Sequence, residues 1–249
     1  MILYNDNCFA IMEKMVEEGK KFNAIITDPP YAITRKTNFG TAKEPDENAT
    51  KEEKEKYRTF VKHHNDFGEW DNEEIDYDKF IKLCYELLED NGTLFMFYDI
   101  WKIQNIKESA EKYKFKQPRM GFWIKTNPVP VNSKLNYLTN SKEIFVSFVK
   151  KAKPTFNSQY DNGLYSYPIC QGNERTEHTT QKPLKLMEEI ILKHTNKDDV
   201  VLDPFMGSGT TGEACIKHNR NFYGIELNKK YFNIANERLN KEIIDEDEW

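Results

Sequence analysis

The chain has 249 residues, with 36 Lys and Arg against 41 Asp and Glu and a formal net charge of −5. Its 38% hydrophobic content predicts a folded core and excludes a disordered or collagen-like chain. No stretch of about 20 apolar residues is present, which excludes a membrane span. The four cysteines form no C-x-x-C pair, and the N-terminal segment resembles no secretory leader. These features predict reduced thiols and a cytoplasmic protein.

Charge is distributed unevenly along the chain. Residues 102–153 hold twelve basic and three acidic residues, whereas residues 41–90 hold sixteen acidic and eight basic ones. Aromatic residues interleave the basic stretch, and basic and aromatic side chains together suit the phosphates and bases of nucleic acid. A solvated lysine-rich face over ordinary strand aromatics is the alternative interpretation.

Apolar runs and helical periodicity alternate along the chain. The predicted strands are Phe22–Thr27, Thr93–Tyr98, Gly121–Lys125, Glu143–Val149, Val200–Asp203 and Phe222–Glu226. The predicted helices are Cys8–Glu18, Tyr77–Leu88, Ile100–Tyr113, Pro183–His194, Thr211–His218 and Lys230–Asn240. This alternation predicts an α/β fold with a mostly parallel sheet and helices on both faces.

Two irregular segments interrupt this pattern. We predict one domain over residues 1–240, with a mobile loop at 34–70, a small inserted recognition region at 126–180, and an acidic tail at 241–249. The doublet His63-His64 in the first segment has no acidic or cysteine partner at metal-ligand spacing, so no metal site is predicted.

The first chemical motif, Asp28-Pro29-Pro30-Tyr31, directly follows a predicted strand. Two prolines stiffen the chain and remove two N–H donors, which leaves backbone carbonyls beside the Asp28 carboxylate. Tyr31 adds a flat ring. A pocket of hydrogen-bond acceptors with a stacking wall suits a planar group that carries an amine, such as a nucleobase. The alternative is a strand-ending turn with a capping aspartate.

The second motif is a strand, a glycine turn and a helix start over residues 200–211. Gly207 and Gly209 permit a tight turn and a close approach to a ligand, and a later strand ends at Glu226, where a carboxylate can bind ribose hydroxyls. No P-loop pattern is present, which argues against a nucleoside triphosphate, although residues 207–212 match the G-x-G-x-x-G pattern. A nucleoside ligand without phosphates points to S-adenosylmethionine.

These motifs, with Thr179-Thr-Gln181-Lys182-Pro183 between them, resemble the amino-methylating DNA methyltransferases of the β class. The segment Trp123-Ile-Lys125-Thr-Asn127-Pro128 and the stretch Phe67–Asp71 extend the likeness to small Helicobacter-type adenine methyltransferases. The resemblance implies a permuted Rossmann-like S-adenosylmethionine-dependent methyltransferase fold, a mostly parallel sheet with one antiparallel strand. The chain departs from the family in having Asn7-Cys8 for Asp-Cys, and Thr179-Thr180 after His178.

The resemblance also implies site residues. The catalytic candidates are Asp28, Pro29, Pro30 and Tyr31. The cofactor-binding candidates are Asn7, Cys8, Asp28, Gln181, Lys182, Asp203, Phe205, Gly207, Ser208, Gly209, Thr210, Glu226 and Leu227. The basic stretch supplies the phosphate-binding candidates Lys125, Lys134, Lys142, Lys150, Lys151 and Lys153.

The implied activity is methyl transfer from S-adenosylmethionine to the N6 amine of adenine in double-stranded DNA, with the target base flipped out of the helix. We expect Asp28 and the Pro29 carbonyl to accept the amine hydrogens and Tyr31 to stack on the base. A homodimer could complete the DNA footprint, and the sequence does not indicate whether a restriction endonuclease partner exists. The alternatives are an N4-cytosine methyltransferase and a catalytically silent DNA-binding relative.

Overall fold

The computed structural model describes residues 1–30, 50, 75–129, 137–138, 140–151, 153–178 and 180–246. The chain divides into two compact units, one made of Met1–Pro29 with Asp76–Trp249 and the other of Pro30–Ile75. Apart from Thr50, the predicted loop 34–70 lies outside the described residues, as do Tyr31 and Lys134.

A sheet of eight strands runs through the first unit in the order β1-β8-β7-β2-β3-β5-β4-β6. In chain order the strands are Ile2–Tyr4 (β1), Phe22–Thr27 (β2), Leu88–Tyr98 (β3), Lys116–Lys125 (β4), Lys142–Val149 (β5), Leu164–Tyr167 (β6), Val200–Asp203 (β7) and Asn221–Ile225 (β8).

Strand β5 is antiparallel to both of its neighbours, β3 and β4. All other pairings are parallel. The expected sheet with one antiparallel strand is therefore confirmed in the described part of the chain. Of the eight described strands, seven end at one edge, which we call the carboxyl edge, and β5 begins there. Ligands of open α/β sheets bind outside such an edge.

The described helices are Cys8–Glu17 (α1), Tyr77–Leu87 (α2), Ile103–Lys112 (α3), Leu184–His194 (α4), Thr210–Lys217 (α5) and Lys229–Glu246 (α6). Side-chain oxygens accept from the first amides of several helices: Asn7 accepts from the Phe9 amide at 2.9 Å, and Asp76 accepts from the Lys79 amide at 3.0 Å. Both contacts satisfy amides that have no partner within the helix.

The predicted elements are present, and the structure differs from prediction mainly at their ends. Strands β1 and β6 were missed because three or four residues carry too little periodicity to be recognised. Strands β3 and β4 begin five residues earlier than predicted, at Leu88 and Lys116, within polar sequence. Helix α6 continues through Glu246, so the segment 241–246 of the predicted tail is helical.

The core lies between the middle of the sheet and helices α4, α5 and α6. Phe95 of β3 stacks on Phe145 of β5 with 4.5 Å between ring centroids, and Phe97, Trp123 and Phe222 are equally buried. All four cysteines are buried and unpaired. Among the described helices, none is long and apolar enough to cross a membrane. The described residues also contain no cluster of His, Cys, Asp and Glu that could hold a metal.

Candidate functional site

The two chemical motifs meet at the carboxyl edge. Strands β2 and β7 are parallel neighbours, with Ile25 opposite Leu202. The Thr27 hydroxyl donates to Asp203 Oδ1 at 2.7 Å. The residue that precedes Asp28 therefore contacts the last residue of β7, directly before the glycine turn, and two segments 176 positions apart in sequence form one site.

Among the described residues, one carboxylate oxygen of Asp28 has a hydrogen-bond partner and the other has none. Its Oδ2 accepts a hydrogen bond from the Lys182 ammonium. Its buried Oδ1 has no hydrogen-bond partner within the described structure. Burial raises the pKa of Asp28, although the positive charge of Lys182 opposes this change. The carboxyl is thus a better proton acceptor than an exposed aspartate, and one oxygen is available to an incoming donor.

Pro29 is buried directly after Asp28 and offers no N–H of its own. Pro30 is the first residue of the second unit. Tyr31 is outside the described residues, so its predicted stacking stays a prediction.

The glycine turn requires its glycines. Gly207 and Gly209 have φ values of +52° and +81°, a region that side-chain-bearing residues rarely adopt. A Cβ on Gly207 would lie 2.8 Å from His178 Nε2. Burial and the charge of Lys182 lower the pKa of His178 to about 4, so this imidazole is neutral at neutral pH.

Glu226 joins the end of β8 to the same turn. Its two carboxylate oxygens accept from the backbone amides of Gly207 at 3.0 Å and Asn228 at 2.7 Å. Asn5, which the sequence interpretation missed, donates to the Glu226 carbonyl at 2.8 Å and ties the end of β1 to this position. Burial raises the pKa of Glu226 despite the two amides. Glu226, which we predicted to bind the ribose hydroxyls, is therefore held in place by backbone contacts from two elements.

The Asp203 carboxylate stabilises the glycine turn through three hydrogen bonds. It accepts from the Thr27 hydroxyl, from the Thr211 hydroxyl at 2.6 Å and from the Phe205 amide at 3.1 Å. Burial raises the pKa of Asp203 to about 6, and these hydrogen bonds lower it. The described contacts of both oxygens are internal, so this placement favours shaping of the turn over direct cofactor contact.

Gln181 and Lys182 have side-chain contacts that differ from the expected ones. The Gln181 amide donates to the Glu174 carbonyl at 2.8 Å and accepts from Thr176. The Lys182 ammonium lies between Asp28 and Glu143. The described contacts of both side chains are with other residues of the protein, and their predicted contact with the cofactor stays a prediction.

The remaining cofactor candidates surround the turn or the start of α1. Asn7 caps α1, and burial raises the pKa of the Cys8 thiol to about 12, which makes it unreactive. Phe205 is partly buried, and Leu227 is exposed. Ser208 and Thr210 are buried, where the Ser208 carbonyl and the Thr210 hydroxyl accept from Arg238, another residue that the sequence interpretation missed.

Five of the six lysines predicted to bind phosphate are described, and the structure separates them into two groups. Lys125 and Lys142 lie at the carboxyl edge, but Lys125 pairs with Glu143 at 2.6 Å. The later lysines follow the far end of antiparallel β5, where the Lys150 and Lys151 amides bond to the Gly92 and Asp90 carbonyls.

Seven residues of strand from Glu143 to Lys150 span about 23 Å. The placement of Lys150, Lys151 and Lys153 therefore argues against a phosphate role beside Asp28. Lys150 is additionally buried, with its ammonium on the Leu88 carbonyl at 2.6 Å. Of the described candidates, Lys142 alone is both exposed and at the carboxyl edge.

Glu143 is the functional candidate that the sequence interpretation missed. It is the second residue of β5, pairs with Trp123 across the sheet, and contacts both Lys182 and Lys125. The available signal was an acidic residue at the start of an otherwise apolar strand, within a stretch that holds only three acids. Its partners could not be found from sequence, because they come from different elements.

Comparison with known proteins gives concordant matches. The family described as DNA methylase matches residues 22–237. The Type II methyltransferase M2.DpnII of Streptococcus pneumoniae is 31% identical over 97% of this chain and 90% of its own length. The Type II methyltransferase M.HinfI of Haemophilus influenzae is 34% identical over 69% of this chain and 54% of its own length.

Solved structures agree with these matches. The M1.HpyAVI–SAM complex superposes with a TM-score of 0.70 and 32% identity, covering 96% of this chain and 99% of that one. The cytosine-N4-specific PvuII DNA methyltransferase, at 17% identity and a TM-score of 0.68, shares the fold over 96% of this chain and 90% of its own. With the family match over most of its length and the two motifs joined at one edge, the chain belongs to the DNA methylase family of N6 and N4 methyltransferases.

Proposed function

We propose that this DNA methylase transfers a methyl group from S-adenosylmethionine to the N6 amine of adenine in double-stranded DNA. The observation that carries the proposal is the Asp28 carboxylate, which has one buried oxygen without a described partner and lies next to the glycine turn through the Thr27–Asp203 hydrogen bond. Aspartate at position 28, where serine would favour cytosine, supports adenine as the target.

The residues at the turn fit the proposed cofactor. Glu226 holds its carboxylate beside Gly207, where lone pairs remain for ribose hydroxyls. The turn from Asp203 to Thr211 contains no basic residue that would hold a phosphate. His178 beside Gly207 is neutral and adds no positive charge. Such a site suits a nucleoside with a cationic substituent, and S-adenosylmethionine, when bound, supplies an electrophilic methyl group on a sulfonium.

Asp28 supplies the chemistry toward the DNA base. Its free Oδ1 would accept one amine hydrogen and the Pro29 carbonyl the other, which favours a localised lone pair on the nitrogen. As the nitrogen attacks, positive charge develops on it, and a preorganised carboxylate stabilises that charge. The raised pKa then favours transfer of the surplus proton to Asp28, which acts as general base after the attack.

The DNA must approach the carboxyl edge, and the base must leave the helix because the amine is inaccessible inside a duplex. We place Lys142 near the phosphate backbone and Tyr31 on the flipped base, where stacking contributes roughly 1–3 kcal/mol. A homodimer would extend this footprint. The enzyme would act in the cytoplasm, and a restriction endonuclease partner is not assigned.

The proposal can be tested with purified protein, S-adenosylmethionine carrying a deuterated methyl group, and unmethylated plasmid DNA. We expect mass spectrometry of the hydrolysed nucleosides to find the label in N6-methyladenine. Label in N4-methylcytosine would replace the target by cytosine. Absence of label from DNA, with folded protein, would favour the silent DNA-binding alternative.

A fluorescent base analogue provides a test of flipping. Placed at the methylated position, it should brighten when the enzyme binds. Unchanged fluorescence with an enzyme that methylates the same duplex would contradict extrusion of the base.

A further inference from the structure

Four charged side chains form a connected network at the carboxyl edge, which we call the buried charge network. Its members are Asp28 after β2, Lys182 before α4, Glu143 on β5 and Lys125 at the end of β4. Lys182 pairs with Asp28 and lies 3.1 Å from Glu143, which in turn lies 2.6 Å from Lys125. Two carboxylates and two ammonium groups thus alternate in sign and sum to zero charge.

The network is largely shielded from solvent. The exposed fraction of the side chains is 8% for Lys182, 12% for Lys125, 23% for Glu143 and 24% for Asp28. The two ammonium groups also lie over aromatic rings, Lys182 at 4.8 Å from the Phe97 centroid and Lys125 at 4.9 Å from that of Trp123. Because ions at such depth are poorly hydrated, each depends on its partners for stabilisation.

The network leaves Asp28 with one defined orientation. Lys182 holds Oδ2, while Oδ1 has no partner among the described residues. Lys182 is itself fixed from the other side by Glu143, and Glu143 by Lys125. An error of about 1 Å in the position of a reacting group can reduce a rate by about a hundredfold. A carboxylate that is fixed through one oxygen offers the other in a constant place.

We propose that Lys182 and Glu143 are positioning residues for methyl transfer, which hold the Asp28 carboxylate with Oδ1 toward the target amine, and that Lys125 anchors Glu143. This inference rests on the proposed function and extends it to a series of ion pairs formed by residues from three separate elements. Neither Glu143 nor Lys125 contacts Asp28 by a described hydrogen bond, so they position it through Lys182, while their charges also act on its pKa across space.

The charges around Asp28 give the proposal a signature in the pH profile. Apart from burial, Lys182 lowers the pKa of Asp28, Glu143 raises it, and Lys125 lowers it. Asp203 lies close enough to interact with Asp28, and His178 with Lys182. Both of these neighbours are unchanged in the variants below, so differences between variants report the network.

The decisive variants are Glu143→Gln and Lys182→Met. Removing the Glu143 charge should shift the acidic limb of the kcat/KM profile to lower pH, whereas removing the Lys182 charge should shift it to higher pH. Each should lower kcat by about tenfold or more, with little change in KM for S-adenosylmethionine. Lys151→Met, at the opposite edge, is the matched control and should leave profile and kcat unchanged.

Merely structural damage would lower activity evenly at all pH values and would not shift the two limbs in opposite directions. The inference would be overturned if the acidic limbs of the two variants did not shift or shifted in the same direction. A wild-type kcat in folded Glu143→Gln would also overturn it. Because Lys182→Met leaves two carboxylates facing each other, it could fail to fold. Glu143→Gln keeps the Asp28–Lys182 pair and then decides alone.

The double variant Lys125→Met/Glu143→Gln distinguishes positioning from simple charge neutralisation, because it removes one charge of each sign. We expect kcat to stay low, since Lys182 has still lost its second carboxylate, and a return to wild-type kcat would contradict positioning. If the wild-type enzyme itself transfers no label to adenine, it is the proposed function that fails. If the wild type methylates adenine and the variants match it, only the positioning role fails.

Discussion

Two groups of charges at opposite edges of the sheet use the same residue types in different surroundings. The buried charge network lies at the carboxyl edge, and an exposed pair of Lys151 and Asp90 lies at the other. Lys151 pairs with Asp90 at 2.8 Å, with 57% and 68% of the two side chains exposed, whereas Lys182 is only 8% exposed. Strand β5 connects them, because Glu143 lies near its start and Lys150 follows its end.

Burial determines what a lysine–carboxylate contact contributes. An exposed pair contributes about 0–1 kcal/mol, since water already solvates both partners. Removal of one partner from a buried pair costs about 3–5 kcal/mol, because the other charge is left without hydration or a counter-ion. The contacts at the carboxyl edge therefore constrain side chains strongly, and the exposed pair at the opposite edge constrains them little.

The largest expected effect is on catalysis by Asp28. Asp28→Ala should lower kcat by about 10²–10⁴-fold, because the substitution removes both the hydrogen-bond acceptor of the amine and the general base. Steady-state methylation kinetics measure this effect, with Asp90→Ala as the control at the opposite edge. A loss below about tenfold would be inconsistent with a catalytic role for Asp28.

The second effect is on stability. Lys182→Met should reduce the free energy of unfolding by about 3–5 kcal/mol at neutral pH, since it leaves Asp28 and Glu143 buried and uncompensated. Urea denaturation measures this, and Lys151→Met should cost no more than about 1 kcal/mol. Equal losses for the two variants would show that the difference in burial has no energetic consequence.

The third effect has opposite signs at the two edges. Because the pKa of Asp203 is raised from 3.8 to about 6, its contribution to stability is present below pH 4 and is lost as the pH rises through 6. The stability of wild type relative to Asp203→Asn should therefore fall by up to roughly 3 kcal/mol between pH 4 and 7.

Asp90 provides the comparison for this measurement. Its hydrogen bond from Lys151 lowers its pKa, so its contribution is present above 3.8 and is lost as the pH falls below that value. The stability difference between wild type and Asp90→Asn should be constant above that value and should shrink in the acidic window alone. Chemical denaturation at several pH values tests both residues, and a flat difference for Asp203→Asn would contradict its raised pKa.

The fourth effect compares two glycines with positive φ. Gly19, in the turn between α1 and β2, has φ +69° and nothing within 4 Å of a Cβ, whereas a Cβ on Gly207 would meet His178 at 2.8 Å. Gly19→Ala should cost about 1 kcal/mol from backbone strain alone. Gly207→Ala should cost about 1–3 kcal/mol and also weaken S-adenosylmethionine binding, as measured by calorimetry. Equal losses of stability in Gly19→Ala and Gly207→Ala would show that the contact with His178 contributes nothing.

The smallest effect concerns DNA affinity. Lys142→Ala should weaken binding of duplex DNA and reduce the slope of log affinity against log salt by about 0.9, the value for one phosphate contact. Lys151→Ala should leave both unchanged. Fluorescence anisotropy at several salt concentrations measures them, and the reverse result would place DNA at the other edge.

Local sequence was sufficient for most elements and for the two motifs. Strand β2 and strand β7 have the predicted bounds, because compact apolar runs end abruptly at Asp28 and after Asp203. The strands β1 and β6 were not predictable, since each is defined by its hydrogen-bonded neighbour rather than by its own composition. The roles of the lysines after β5 were not predictable either, since the net charge of a segment does not indicate in which direction its strand runs in the sheet.

The sequence by itself determined the chemistry of this protein: the acceptor-rich Asp28-Pro29 corner, the glycine turn and the terminal Glu226 are each specified by residues adjacent in the chain. Only the tertiary structure decided which charges serve that chemistry. The reversal of a single strand brings Glu143 to Lys182 and carries Lys150 away from them, because a strand that runs against its neighbours delivers its two ends to opposite edges of the sheet.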